Sequence, residues 1–190
     1  MGFYVADAMG HGVPASLLTV FVKTGVRVKE INGKTYRLVQ PNEVLERLNR
    51  DLIKQQLADT PFITMIYALL DYRERILRFS RSGHPHPIYV PRKGEPRMWP
   101  AEGSLLGVFD TEFTVRTEQL QPGDKVLLYT DGMDKASFAG VPAGVQSLIA
   151  FAAKHRQSPV DELVRLIPQE LFRTTEQTDD LTVLGLEMLS

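Results

Sequence analysis

The sequence predicts an α+β fold of mixed, mostly antiparallel sheet with helices packed outside it. Three observations carry that prediction. Apolar residues recur at helical spacing in two blocks near the start and two near the end, and at strand spacing between them. Most predicted strands follow one another across short turns, as hairpins do, and not across helices. The bulk numbers suit one domain with a full core: 190 residues, 43% hydrophobic and 24% charged.

The elements follow in order. Tyr4-Val5-Ala6 reads as the end of a buried strand, closed by Asp7. Gly10 and Gly12 permit a tight turn, and Pro14 suits the first turn of a helix. Val13, Leu17, Val20, Phe21, Thr24, Val28 and Ile31 predict one helix face, ended by Asn32-Gly33, with Gly25 marking a close approach to a neighbour. A second helix is predicted from Pro41-Asn42, with Val44, Leu45, Leu48, Leu52, Ile53 and Leu57 as its stripe. Strands follow at Phe62 to Leu70, Ile76 to Arg81, Ile88 to Val90, Phe113 to Thr117 and Lys125 to Thr130, the last after a Pro122-Gly123-Asp124 turn. Val145, Leu148, Ile149 and Ala152 predict a third helix. Ser158-Pro159 opens a fourth, lined by Val160, Leu163, Leu166, Ile167 and Leu171. Asp180 to Met188 is the last strand. The chain opens almost directly on what reads as an interior strand, so further sequence upstream is expected, with Met1 and perhaps Gly2 as an added or mis-assigned start.

Several function classes are excluded early. The net charge of -1 and the scattered basic residues argue against a nucleic-acid module or a membrane-surface protein. No apolar run is long enough to span a bilayer and no signal-peptide pattern is present. There are no cysteines, so any metal must be held by oxygen or imidazole. A cysteine-free chain also fits a reducing compartment, and a cytoplasmic location is the expectation. Neither a Gly-x-Ser-x-Gly elbow nor a phosphate-binding Gly-x-x-x-x-Gly-Lys-Ser/Thr loop occurs.

What remains is a set of carboxylates at strand ends: Asp7, Asp131 in Thr130-Asp131-Gly132, and Asp179-Asp180 before Leu181-Thr182-Val183. Taken singly, an Asp-Gly is most often a turn and an Asp-Asp a solvated cap. Their common placement at strand ends lifts them, and oxygen ligands of this kind suit magnesium or manganese. Among the histidines, His155 reads as solvated and His11 as part of a turn. His84 and His86, separated by Pro85, read as structural or substrate-adjacent before metal ligands. Arg81 reads as a surface residue.

Taken together, these motifs resemble the SpoIIE/RsbU-type branch of the PPM (type-2C, metal-dependent) serine/threonine protein phosphatases. The matching stretches are Val5-Ala6-Asp7-Ala8-Met9-Gly10-His11-Gly12-Val13-Pro14-Ala15, Leu45 to Asn49, Phe62 to Asp71, Ser82-Gly83-His84-Pro85-His86-Pro87 and Leu106-Gly107-Val108. Leu120 to Asp124, Leu128-Tyr129-Thr130-Asp131-Gly132 and Asp179-Asp180-Leu181-Thr182 complete the order. The resemblance implies a four-layer α-β-β-α sandwich with its N-terminal strands missing. It implies two Mn2+ or Mg2+ ions, with Asp7 bridging them, the carbonyl of Ala8 as a ligand, and Asp131 and Asp179 on the other metal. Asp180 is a lesser candidate beside them. The chemistry implied is metal-activated attack of water on phosphoserine or phosphothreonine, without a covalent enzyme intermediate.

The resemblance further implies that residues 1–190 form a phosphatase domain, N-terminally truncated, with a sensor or receiver domain upstream as in a bacterial response regulator. The implied substrate is a phosphorylated anti-sigma-factor antagonist, and a homodimer is a further expectation. Two departures stand out. The family's earlier metal-binding Asp, in a Gly-Asp motif, is not in this chain, and Asp134-Lys135 replaces the usual Thr-Glu pair. The Lys135 departure supports an alternative: a catalytically impaired phosphatase fold that acts by binding a partner.

Overall fold

The computed structural model describes residues 1–33, 35–57, 61–172 and 179–189. The chain divides into two compact units, one comprising Met1–His84 and Ala101–Gln119, the other Pro85–Pro100 and the chain from Leu120 onward. Each is an antiparallel sheet carrying two α-helices, so the α+β expectation holds.

In the first unit, four strands lie in the order β1 (Gly2–Ala8), β4 (Ile63–Asp71), β5 (Ile76–Ser82), β8 (Arg116–Gln119). β4 is an inner, mostly apolar strand, and six of its residues in a row are buried. Asp71 closes its hairpin by accepting bonds from the amides of Arg73 (3.1 Å) and Glu74 (3.2 Å), a short polar side chain standing in for a backbone turn. The helices α1 (Gly12–Gly25) and α2 (Pro41–Lys54) pack on this sheet. Leu18, Val22, Leu45, Leu48, Leu52, Met65 and Tyr67 belong to the core they share.

Two expectations about α1 fail. The helix ends at Gly25, and residues 29–32 and 35–38 form a hairpin, β2 (Lys29–Asn32) and β3 (Thr35–Leu38), turned at Gly33. Val26, Val28 and Ile31 are β-branched, which favours extended backbone once the helix has stopped. The inward face is also different. Leu18 and Val22 are buried, whereas Val13, Leu17 and Val20 are 73%, 65% and 56% exposed. The close approach expected at Gly25 is present: a Cβ there would stand 2.6 Å from Leu48 Cδ2.

In the second unit the order is β10 (Val183–Glu187), β9 (Lys125–Tyr129), β6 (Ile88–Val90), β7 (Arg97–Met98). The two-residue β7 has no apolar run to announce it. α3 (Val145–Lys154) and α4 (Val160–Leu171) pack on each other and on this sheet. Leu148, Phe151, Leu163, Ile167 and Leu171 are fully buried. His155, expected in solvent, caps α3 instead, with Nε2 3.2 Å from Glu170 and its ring against Phe151. No described helix is long and apolar enough to cross a membrane.

Candidate metal centre

In the first unit, Asp7 is the penultimate residue of β1 and is half-buried. Its cross-strand partner on β4 is Thr64, and Ala8 faces Ile63. Pairing ends one residue later, where the Met9 amide donates to Phe62 O at 3.0 Å. Gly10 then takes φ +88 and Gly12 φ +75, the left-handed region that glycine enters without strain. His11 stands at the N-cap of α1 without a side-chain capping bond. The sequence therefore builds what it announced here: a rigid strand delivering Asp7 and the Ala8 carbonyl to a sharp turn.

His84 belongs to this neighbourhood. It is fully buried, and its Nδ1 lies 2.9 Å from Thr64 Oγ1. It thus braces the strand residue that faces Asp7, in keeping with a structural role. Arg81 is not the surface residue expected. It is half-buried and its guanidinium donates to the carbonyls of His84 and Ala101, tying the Gly-His-Pro segment to the 101–104 loop.

In the second unit, the Thr130-Asp131-Gly132 and Asp179-Asp180 motifs, some 50 residues apart, meet. Thr130, 5% exposed, accepts a hydrogen bond from the Thr182 amide (2.9 Å) and donates through the same Oγ1 to Asp180 O (3.1 Å). Its own amide donates to Thr182 O at 3.1 Å. A Cβ at Gly132 would fall 2.4 Å from Asp180 O and 2.9 Å from Asp180 C, so only glycine lets the two backbones touch. Asp131 opens a 3-10 turn (Asp131–Lys135) at the carboxyl end of β9 and is exposed, as are Asp179 and Asp180. Asp179 Oδ1 accepts the Asp180 amide at 2.8 Å.

Two further residues, named in the sequence only as part of a turn or a matching stretch, hold loops in their own units. Asp124, 3% exposed, accepts hydrogen bonds from Tyr89 Oη (2.7 Å), the Arg92 amide (2.9 Å) and the Gln121 amide (2.8 Å). In the first unit, buried Asn49 donates to Phe109 O (2.7 Å) and accepts from the Gly107 amide (2.8 Å). A Pro-Gly-Asp turn and a helical Asn carry some signal of polarity in an apolar setting, but none of their distant partners.

The donor chemistry fits a hard divalent cation: carboxylate and carbonyl oxygens, two of the carboxylate motifs side by side, and no thiolate. Among the described residues, no group of three or more His, Asp or Glu is close enough to hold a metal. The structure thus brings Asp131 beside Asp179-Asp180, and fixes Asp7 and Ala8 on β1.

The family described as Stage II sporulation protein E (SpoIIE) matches residues 1–189. The chain belongs to the SpoIIE family. It is 26% identical over 186 residues to the phosphoserine phosphatase RsbU of Bacillus subtilis, a match covering 96% of this chain and 54% of RsbU. The chain therefore spans about half the length of that relative. The RsbU and RsbW domains of Rv1364c from Mycobacterium tuberculosis superpose with a TM-score of 0.80 at 29% identity, covering 98% of this chain and 51% of that one. The catalytic domain of the serine/threonine phosphatase PstP, solved with two manganese ions, gives a TM-score of 0.67 at 14% identity, covering 100% and 88%. That last likeness speaks for the fold alone. The mixed, antiparallel α+β architecture with four helices is that of PP2C-type phosphatase domains.

Proposed function

We propose that this SpoIIE-family chain is a metal-dependent protein phosphatase domain that hydrolyses phosphoserine or phosphothreonine on a signalling partner. The observation that carries the proposal is the locking of Thr130-Asp131-Gly132 against Asp179-Asp180, which leaves three carboxylates exposed. Asp7, the Ala8 carbonyl, Asp131 and Asp179 are the proposed ligands, with Asp180 beside them. Bound Mn2+ or Mg2+, two as in the PstP structure, would supply the Lewis acidity that ionises water and offsets phosphoryl charge. The chain's own part is positioning. β4 holds Asp7 through the strand pairing, His84 fixes Thr64 opposite it, and the Thr130 hydroxyl clamps the backbone that presents Asp179 and Asp180. Ligands on rigid strands hold a site more closely than ligands on loops.

In line with the family resemblance of its motifs, the proposed substrate is a phosphorylated anti-sigma-factor antagonist, with the chain serving as output domain of a longer regulator. The test is release of inorganic phosphate from such a phosphoprotein with Mn2+ and with chelator. Metal-dependent release that falls roughly 100-fold in Asp131→Asn supports the reading. Partner binding without any metal-dependent release would instead favour the non-catalytic alternative, which the Lys135 position supports.

A further inference from the structure

The turn after Asp7 does more than launch α1. Met9, Gly10 and His11 line a pocket of about 620 Å³ within the first unit. Its other walls come from α1, through Leu17 and Phe21 among others, and from the end of α2 and beyond, through Leu52 and Leu57. Among the described residues no Lys, Arg, Asp or Glu lines it, and His11 and Gln55 are the polar side chains. Met9, Leu17 and Leu57 are 39%, 65% and 45% exposed. Large apolar side chains left open around a concave pocket of this size are the usual lining of a ligand site.

The pocket's position decides the occupant. Only Ala8 separates Asp7 from Met9, about 7 Å along an extended chain. A phosphoserine brought to Asp7 carries its neighbouring residues past Met9 and His11. The uncharged lining does not suit the phosphate itself and does suit an apolar side chain close to it in sequence. We propose that this pocket receives an apolar residue flanking the phosphoserine of the substrate, so that Leu17, Phe21 and Leu57 select the phosphorylated segment. This rests on the phosphatase reading above for the placement of the phosphate.

The test uses the whole chain with Mn2+ and two fluorescent peptides. Both carry a non-hydrolysable phosphonate analogue of phosphoserine, so turnover cannot consume them. One has leucines within three residues on either side of it and the other has serines there. Fluorescence anisotropy should show the leucine peptide bound about tenfold tighter, a modest part of the gain from burying a leucine. Leu17→Asp and Leu57→Asp should each remove that preference, and Val20→Asp, on the same helix but outside the pocket, should retain it. Leu57 lies outside any helix, which covers the case in which Leu17→Asp disturbs α1. Equal affinity for the two peptides, or a preference that survives both pocket variants, would overturn the proposal. So would a dimer in sedimentation that Leu17→Asp dissolves while the peptide preference persists, since the occupant would then be a second copy. Phosphate release from p-nitrophenyl phosphate by the unaltered chain is read separately. Its failure beside an intact peptide preference counts against turnover and not against the pocket, whereas turnover without preference counts against the pocket alone.

Discussion

Gly132 and Thr130 do their work through backbone contacts and not by touching any reacting group. A methyl at Gly132 meets the carbonyl of Asp180 at 2.4 Å, and a backbone atom cannot swing aside as a side chain can. Gly132→Ala is therefore expected to cost about 1–3 kcal/mol in urea unfolding and to displace Asp179-Asp180 from Asp131. Thr130→Val keeps the shape but loses both bonds of the hydroxyl, leaving the Thr182 amide without its side-chain partner, for about 1–3 kcal/mol. Both should lose metal-dependent phosphate release more steeply than stability; equal losses would mean the contact is only structural. Asp124 offers the contrast. Its carboxylate satisfies two backbone amides and a tyrosine hydroxyl in a buried turn. Asp124→Ala should cost roughly 3 kcal/mol by the same measurement, through folding alone.

At the scale of elements, legibility in the sequence tracks how sharply charge divides a helix or strand. α2 carries Glu43, Glu46, Arg47, Arg50, Asp51 and Lys54 on one side, and its buried stripe was read correctly up to Leu52. α1 has apolar residues nearly all round between Val13 and Val22, so periodicity offered several faces and the outward one was chosen. Of the outward residues Val13, Leu17 and Val20, Leu17 borders the pocket, beside Pro14, Leu18 and Phe21 of the same helix. Likewise Asp131 was legible because it ends an apolar run and Asp179 because it stands just before one, whereas bonds of Asn49 and Asp124 reach partners about 30 to 60 residues away. The β2–β3 hairpin escaped notice for its shortness, and it is held to α2 electrostatically. Arg37 pairs with Glu30 (2.6 Å) and Glu43 (2.7 Å), and Arg47 pairs with Glu30 and, at 3.5 Å, with Glu43. Arg47 foremost holds the Glu30 carboxyl below its ordinary value, and Arg37 does the same for Glu43. Both glutamates thus titrate lower in the folded protein than in the unfolded chain. Their contribution is complete above the ordinary value of 4.5 and fades as pH falls through the folded values. Hydrogen exchange of the hairpin amides should accelerate below that pH beyond the intrinsic change, and the double variant Arg37→Gln, Arg47→Gln should remove most of the pH dependence. An unchanged profile in that variant would mean that packing alone holds the hairpin.

For the whole molecule, the proposed metal binding would be coupled to folding. Asp131 and Asp179, far apart in the sequence, come together only in the folded second unit. Any ion they hold therefore stabilises the native state, by about 2.7 kcal/mol at a hundred times the dissociation constant. Thermal unfolding should then shift upward with Mn2+ in a concentration-dependent way, and Asp131→Asn should blunt the shift even where it leaves the metal-free transition in place. Asp131, Asp179 and Asp180 are exposed, so their neutral replacements should not unfold the chain. This measurement reads binding without turnover, which separates three cases that an activity assay alone would merge. A shift with phosphate release is the phosphatase proposed. A shift without release is a metal-binding fold lacking some part of the chemistry. No shift at any Mn2+ concentration, together with partner binding, would mean that this chain uses the SpoIIE fold to dock and not to hydrolyse.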